Sequence, residues 1–201
     1  MSTGITFDSL SEAREYQKRM VQTEQVASSI KREGGEFVVT LLEKKPVKTW
    51  IVPRKELEKY KGKEVSGRHL GTEEGHDIWL AEKAGTGTHL HELGHARHGH
   101  VEMGGLTLGD RIDRELDAEI YAWLAKDKEL NPRVAWNAVR QAFTWNPRAN
   151  KVSIINEVSR RLEERGIPVT VEDKKWFIDA TMLKTDEPEI EEWKESMKEE
   201  F

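Results

Sequence analysis

A His-Glu-x-x-His run at His91, Glu92 and His95 constrains this chain more than any other stretch. Residues four apart on a helix lie on one face. Two imidazoles at that spacing can hold one metal ion, and zinc suits them, at about 2.0–2.1 Å from each ring nitrogen. Glu92 follows the first histidine and comes three residues before the second. Its carboxylate therefore falls beside a water that the metal would hold, and not on the metal. A water of lowered pKa next to a carboxylate base suits hydrolysis.

The bland alternative is a solvated, histidine-rich helix, since five of the seven histidines lie between His89 and His100. Independent placement at this composition gives roughly 0.03 matches to the motif by chance. The context is helical as well. Leu90, Leu93 and Ala96 form an apolar stripe beside the histidine face. Gly94 leaves room for another backbone, and Gly99 suits a helix stop.

A zinc site takes a third protein ligand. The chain has no cysteine, which removes thiolate ligation and with it deformylase-like sites. Metzincins carry Gly three residues and His six residues beyond the second ligand, where this chain has His98 and Val101. The remaining source is an acidic residue on a later helix, and the stretch from Asp113 to Ala125 supplies it. Glu115 and Glu119 share one face, flanked by Ala118 and Ala122, whose small side chains allow close packing on the histidine helix. Asp117 lies about 200° around the wheel from Glu115 and is expected to point away with Asp113 and Arg114. Glu115 is thus expected as the third ligand. Glu119, one turn on, is expected to accept the other ring N–H of a ligand histidine.

These residues carry a resemblance. His91-Glu92-x-x-His95, then Glu115, Ala118-Glu119 and Tyr121-Ala122, resemble the gluzincin metallopeptidases, whose pattern is HExxH followed by Glu-x-x-Ala-Asp on a second helix. The stretch from Glu115 to Ala122, like His95-Ala96-Arg97-His98-Gly99-His100, is similar to HtpX-type peptidases and to soluble ImmA/IrrE-like proteins. The likeness covers about forty residues. Glu119 stands where those families usually have Asp, which changes the reach of that side chain. The resemblance implies an α+β, zincin-like fold: a small β-sheet, an active-site helix and a helical C-terminal half. It also implies zinc as cofactor, a peptide or protein as substrate, and Glu92 as general base. A second implication is regulatory. ImmA/IrrE-like proteins act on transcriptional repressors, so the metal of such a chain can be structural or vestigial. The oxyanion of peptide hydrolysis also needs a stabilising group. His98, His100 and Tyr121 are nearest, and the sequence assigns the role to none of them.

Composition narrows the rest. Hydrophobic residues make up 36% and charged residues 34%, with a net charge of −5. That balance describes one domain with a highly charged surface and offers no basic excess for nucleic acid. No cysteine means no disulfide, which fits a reducing compartment. The N-terminus lacks the basic and apolar regions of a signal peptide, and no window approaches eighteen apolar residues. A cytoplasmic location is the resulting expectation, and the scarcity of Asn, Gln and Cys leans towards a thermophilic source.

The expected organisation has three parts. Residues 1–33 form an N-terminal helix, capped by Asp8 or Ser9, ended by Gly34-Gly35 and docked on the core. Residues 34–127 are the catalytic core. Residues 128–201 are helical and pack with the core as one domain. Within the core, 36–42 and 47–52 read as strands, 53–60 as a short helix and 66–75 as a polar connection. Asp77 to Ala81 reads as the strand leading into the histidine helix; in zincins such a strand lines the cleft and takes an extended substrate at the sheet edge. Val101 to Asp110, with its glycines, reads as a loop. Helices follow from Asn131-Pro132 to Phe143 and from Val152 to Arg165, without the tight glycine turn of a helix-turn-helix. A short helix through Trp176 to Met182-Leu183 and an acidic amphipathic end at 186–201 complete the chain.

Overall fold

The computed structural model describes residues 4–61, 66–72, 74–101, 105–146 and 149–180. The expectations for Met182-Leu183 and for 186–201 lie outside those residues. The chain is mixed α and β and divides into two compact units. The first comprises Met1–Gly105 and Asp117–Glu129; the second comprises Leu106–Leu116 and Leu130–Phe201.

The first unit opens with β1 (Ile5–Phe7) and α1 (Leu10–Arg19). Ser9 caps α1: its hydroxyl accepts the Glu12 N–H at 3.2 Å and donates to the Glu12 carboxylate at 3.0 Å. A π-helical turn, Met20–Glu24, extends the helix to Gln25, whose left-handed φ of 52° ends it. The expected helix to residue 33 is therefore corrected. Ser28–Glu33 forms β2 and pairs antiparallel with β3 (Glu36–Leu41), with Glu33 opposite Glu36. Gly34 and Gly35 both have positive φ (59° and 98°). They are the two-residue hairpin turn that such a pair favours, and not the helix stop expected of them. β1 adds to the other side of β3, giving the order β1-β3-β2. Gln17 ties α1 to this sheet by donating to the buried Ser28 carbonyl at 2.8 Å.

A second sheet has the order β4-β6-β5. β4 (Val47–Val52) runs parallel to β6 (His76–Ala81), with α2 (Arg54–Lys61) in the connection. β5 (Gly67–Gly71) pairs antiparallel with β6. Two expectations are corrected here. The polar connection at 66–75 contains a strand, and the strand before the histidine helix is the central one, with both edges paired. An extended substrate has no edge of β6 to add to. β6 is apolar enough for that interior place: Ile78, Leu80 and Ala81 are buried.

α3 (Thr86–Arg97) follows β6 and packs against β5 and β6. Register places Gly67, His69 and Gly71 on one face of β5, since alternate residues share a face. A Cβ on Gly67 would come within 2.7 Å of the Thr88 methyl and 3.0 Å of a Glu92 oxygen. Glycine at 67 is thus what lets the strand lie against α3. Among the described residues, Arg97 at the end of α3 donates to the Lys45 carbonyl at 3.1 Å.

The second unit is helical. α4 (Leu108–Ala125) starts at a reciprocal cap in which the Thr107 hydroxyl accepts the Asp110 N–H and Asp110 accepts the Thr107 N–H. The expected loop to Asp110 therefore ends earlier, at Thr107. α4 contributes Leu108–Leu116 to this unit and Asp117–Ala125 to the first. A 3-10 turn (Pro132–Ala135) leads into α5 (Trp136–Trp145), with Asn131 capping and Pro at the first position. α6 (Lys151–Glu164) and α7 (Val171–Ala180) follow, α6 capped by Asn150 and stopped at Gly166. Ile112, Leu116, Val139, Ile155, Val158, Leu162 and Phe177 form its core. Arg161 and Arg165 of α6 and its C-cap both pair with Asp113 of α4, so Asp113 faces α6.

Candidate metal centre

α3 and α4 meet where their side chains are smallest. A Cβ on Gly94 would sit 2.7 Å from both the Cα and the carbonyl oxygen of Ala118. Backbones at that distance bring the polar faces of the two helices together. Ala118 and Ala122 are both buried, as their expected place against the histidine helix requires.

His91, His95 and Glu115 each offer one donor atom, and the three atoms lie within 4.8 Å of one another. The Nε2 atoms of His91 and His95 are 3.2 Å apart, with the rings at 90°. Two bonds of about 2.0–2.1 Å at a tetrahedral angle would put ring nitrogens about 3.3 Å apart. The two imidazoles thus fit one tetrahedral ion, and the carboxylate supplies a third donor of the kind such sites use. Glu115 is 9% exposed, a depth at which a carboxylate needs compensation. Burial holds the His95 pKa well below the ordinary value, and His91 and His100 add to the effect. The neutral ring is the form that binds a metal.

Each histidine is held at its other nitrogen. Nδ1 of His91 is 2.9 Å from a carboxylate oxygen of Glu119, the partner expected for a ligand histidine. Nδ1 of His95 is 2.9 Å from Nδ1 of His100. Nε2 of His100 in turn faces the Asp117 carboxylate at 3.8 Å. Asp117 is therefore not turned away from the site, as its wheel angle suggested. A wheel measures angle about one axis, while His100 reaches Asp117 from beyond the end of α3.

Glu92 is 9% exposed and lies along Gly67 of β5. It follows His91 on α3, and the three donors that converge are those of His91, His95 and Glu115. Of the oxyanion candidates, Tyr121 is 2% exposed, and burial raises its pKa against the opposing charge of Arg97. His100 is engaged with His95. His98 bonds through Nδ1 to the Gly94 carbonyl at 2.8 Å and stacks on His100.

His69 is a further residue at this centre, one for which the sequence carries no expectation. It stacks on His95, with centroids 5.7 Å apart, and bonds through Nε2 to Nδ1 of the buried His76 at 2.8 Å. The signal was present as Gly67-x-His69-x-Gly71, an alternation that puts one histidine between two glycines on a single strand face.

No protein-family model, curated protein or solved structure matches this chain. Among the described residues, no helix is long and apolar enough to cross a membrane.

Proposed function

We propose that this chain is a zinc-dependent metallopeptidase of gluzincin type, with a zincin-like arrangement around α3. The observation that supports this reading is the convergence of His91, His95 and Glu115 on one point, with Glu92 next to His91 in the chain and buried along Gly67. Two imidazoles and one carboxylate, without a thiolate, make the donor set of a hydrolytic zinc site that keeps a position open.

Zinc held there would lower the pKa of a water and polarise the scissile carbonyl. The residues supply the rest. Glu92 takes the proton from the attacking water and delivers it to the leaving amine. Its burial against Gly67 and Thr88 limits it to few rotamers, so the carboxylate is oriented before substrate arrives. Glu119 keeps the His91 ring turned so that Nε2 faces the centre. β5 is one of the two edge strands of its sheet among the described residues and runs beside Glu92. An extended peptide adding to that strand would pass the carboxylate with its backbone already ordered.

Two measurements test the proposal: metal content of the purified protein, and cleavage of casein or a peptide library with and without chelator. Glu92→Gln should retain full zinc and lose hydrolysis. Wild-type turnover in this variant would remove Glu92 from the mechanism, and loss of its zinc would make Glu92 a ligand. Zinc without any cleavage in the wild type would favour a regulatory protein with a structural metal.

A further inference from the structure

Resting on that metal site, we infer that His100 is a positioning residue for the ligand His95, with Asp117 biasing it. His100 lies just beyond α3 and is 12% exposed; its Nδ1 is 2.9 Å from Nδ1 of His95. One of the two nitrogens carries the proton of that bond and the other accepts it. The choice decides what His95 can do.

If His95 carries its hydrogen on Nδ1, its Nε2 lone pair is free and points at Nε2 of His91, 3.2 Å away. That form binds a metal. If the hydrogen sits on Nε2, His95 donates it to His91 and cannot ligate. Left to themselves, two neutral imidazoles this close favour the second form, because it makes a hydrogen bond where the first sets two lone pairs face to face. The surroundings select the first. The Asp117 carboxylate, 3.8 Å from Nε2 of His100, favours a hydrogen on that nitrogen. Nδ1 of His100 is then bare and accepts from Nδ1–H of His95. Glu119 does the same for His91 directly, 2.9 Å from its Nδ1. Both ligating nitrogens thereby carry no hydrogen where they converge, the form in which an imidazole can ligate a metal.

The route is specific to this chain's geometry. His91 reaches a carboxylate in one step, whereas His95 reaches one through a second imidazole. All the residues involved lie on α3, the segment just after it and α4. His98 steadies the intermediate ring by stacking on it, with centroids 5.7 Å apart and planes 23° from parallel.

The test replaces His100 in the full chain. His100→Phe keeps a ring and removes the acceptor. His100→Asn places an oxygen near the former Nδ1 position and should restore it. Zinc affinity is read by chelator competition, and the tautomer of His95 by nitrogen-15 NMR of the metal-free protein. Expected are a loss of affinity of about 10–100-fold in His100→Phe, recovery of most of it in His100→Asn, and a smaller loss in Asp117→Asn. The NMR spectrum should show His95 with its hydrogen on Nδ1 in the wild type and shifting to Nε2 in His100→Phe. A wild type that binds zinc, with unchanged affinity and an unchanged His95 tautomer in His100→Phe, overturns the inference and leaves the metal site standing. Equal loss in the Phe and Asn variants, without a tautomer change, makes His100 a packing residue and overturns it too. A wild type that binds no zinc overturns the metal site and this inference together.

Discussion

Single side chains separate a ligand from a residue that merely faces it. Glu115→Ala should purify nearly free of zinc and inactive, because it removes one of three donors. Glu119→Ala keeps the donors and frees the His91 ring, so zinc should bind about 10–100-fold more weakly. Stoichiometry under equal chelator challenge compares the two. Full zinc in Glu115→Ala would move the third ligand elsewhere on α4. His76 supports a different expectation. It is 3% exposed, and burial, followed by Lys45, His100 and Arg97, lowers its pKa below 6.5. The unfolded chain takes up a proton near pH 6.5 and the folded chain does so only at lower pH. Stability from this residue is present above pH 6.5 and declines as pH falls through that value. Melts of the metal-free protein from pH 8 to 5 should show the decline, to which His95 also contributes, and His76→Gln should make it shallower. An equally steep decline in the variant would assign the slope to other groups.

At the scale of elements, the approach of α3 to α4 depends on one missing side chain. Gly94→Ala would push a methyl group into the Ala118 backbone, which cannot swing aside. A cost of about 1–3 kcal/mol is expected. Zinc affinity should fall with it, because the helices that carry the donors are forced apart. A melting temperature and affinity equal to wild type would show that the helices shift without cost. Elements with a strong local signal were legible in the sequence. α3 announced itself through its motif, the β3 and β4 strands through β-branched runs, and α5 and α6 through spacing and caps. β2 was not legible, because Ala27 and Ile30 satisfy a helical spacing, while the glycine pair that follows fits a helix stop as well as a hairpin. β5 was not legible because Arg68, His69 and two glycines look like a connection. Its strand character comes from pairing with β6, which no local pattern encodes. The contact of His100, a candidate for the oxyanion, with His95 was not legible for a similar reason: the two are five residues apart, and the turn at Gly99, with a φ of 68°, brings the rings together.

For the whole molecule, a metal bound only by the folded state adds to its stability by mass action. Free zinc at a hundredfold excess over Kd contributes about 2.7 kcal/mol. For a chain of this size that corresponds to a rise in melting temperature of about 5–10 °C. Chelator should reverse it, and Glu115→Ala should show little of it. A rise of the same size in that variant would place the stabilising zinc at some other site.

The face of β5 that carries Gly67, His69 and Gly71 has one more consequence, for how relatives of this chain can be recognised. The glycine at 67 is fixed by how closely Thr88 and Glu92 of α3 approach, so drift in the surrounding sequence leaves little freedom there. The spacing Gly-x-His-x-Gly, some twenty residues before His-Glu-x-x-His, is therefore a two-part signature. Searching on both parts together should gather chains that share this centre even where overall identity has faded. Chains with the second part alone should prove to hold their helix against a different strand.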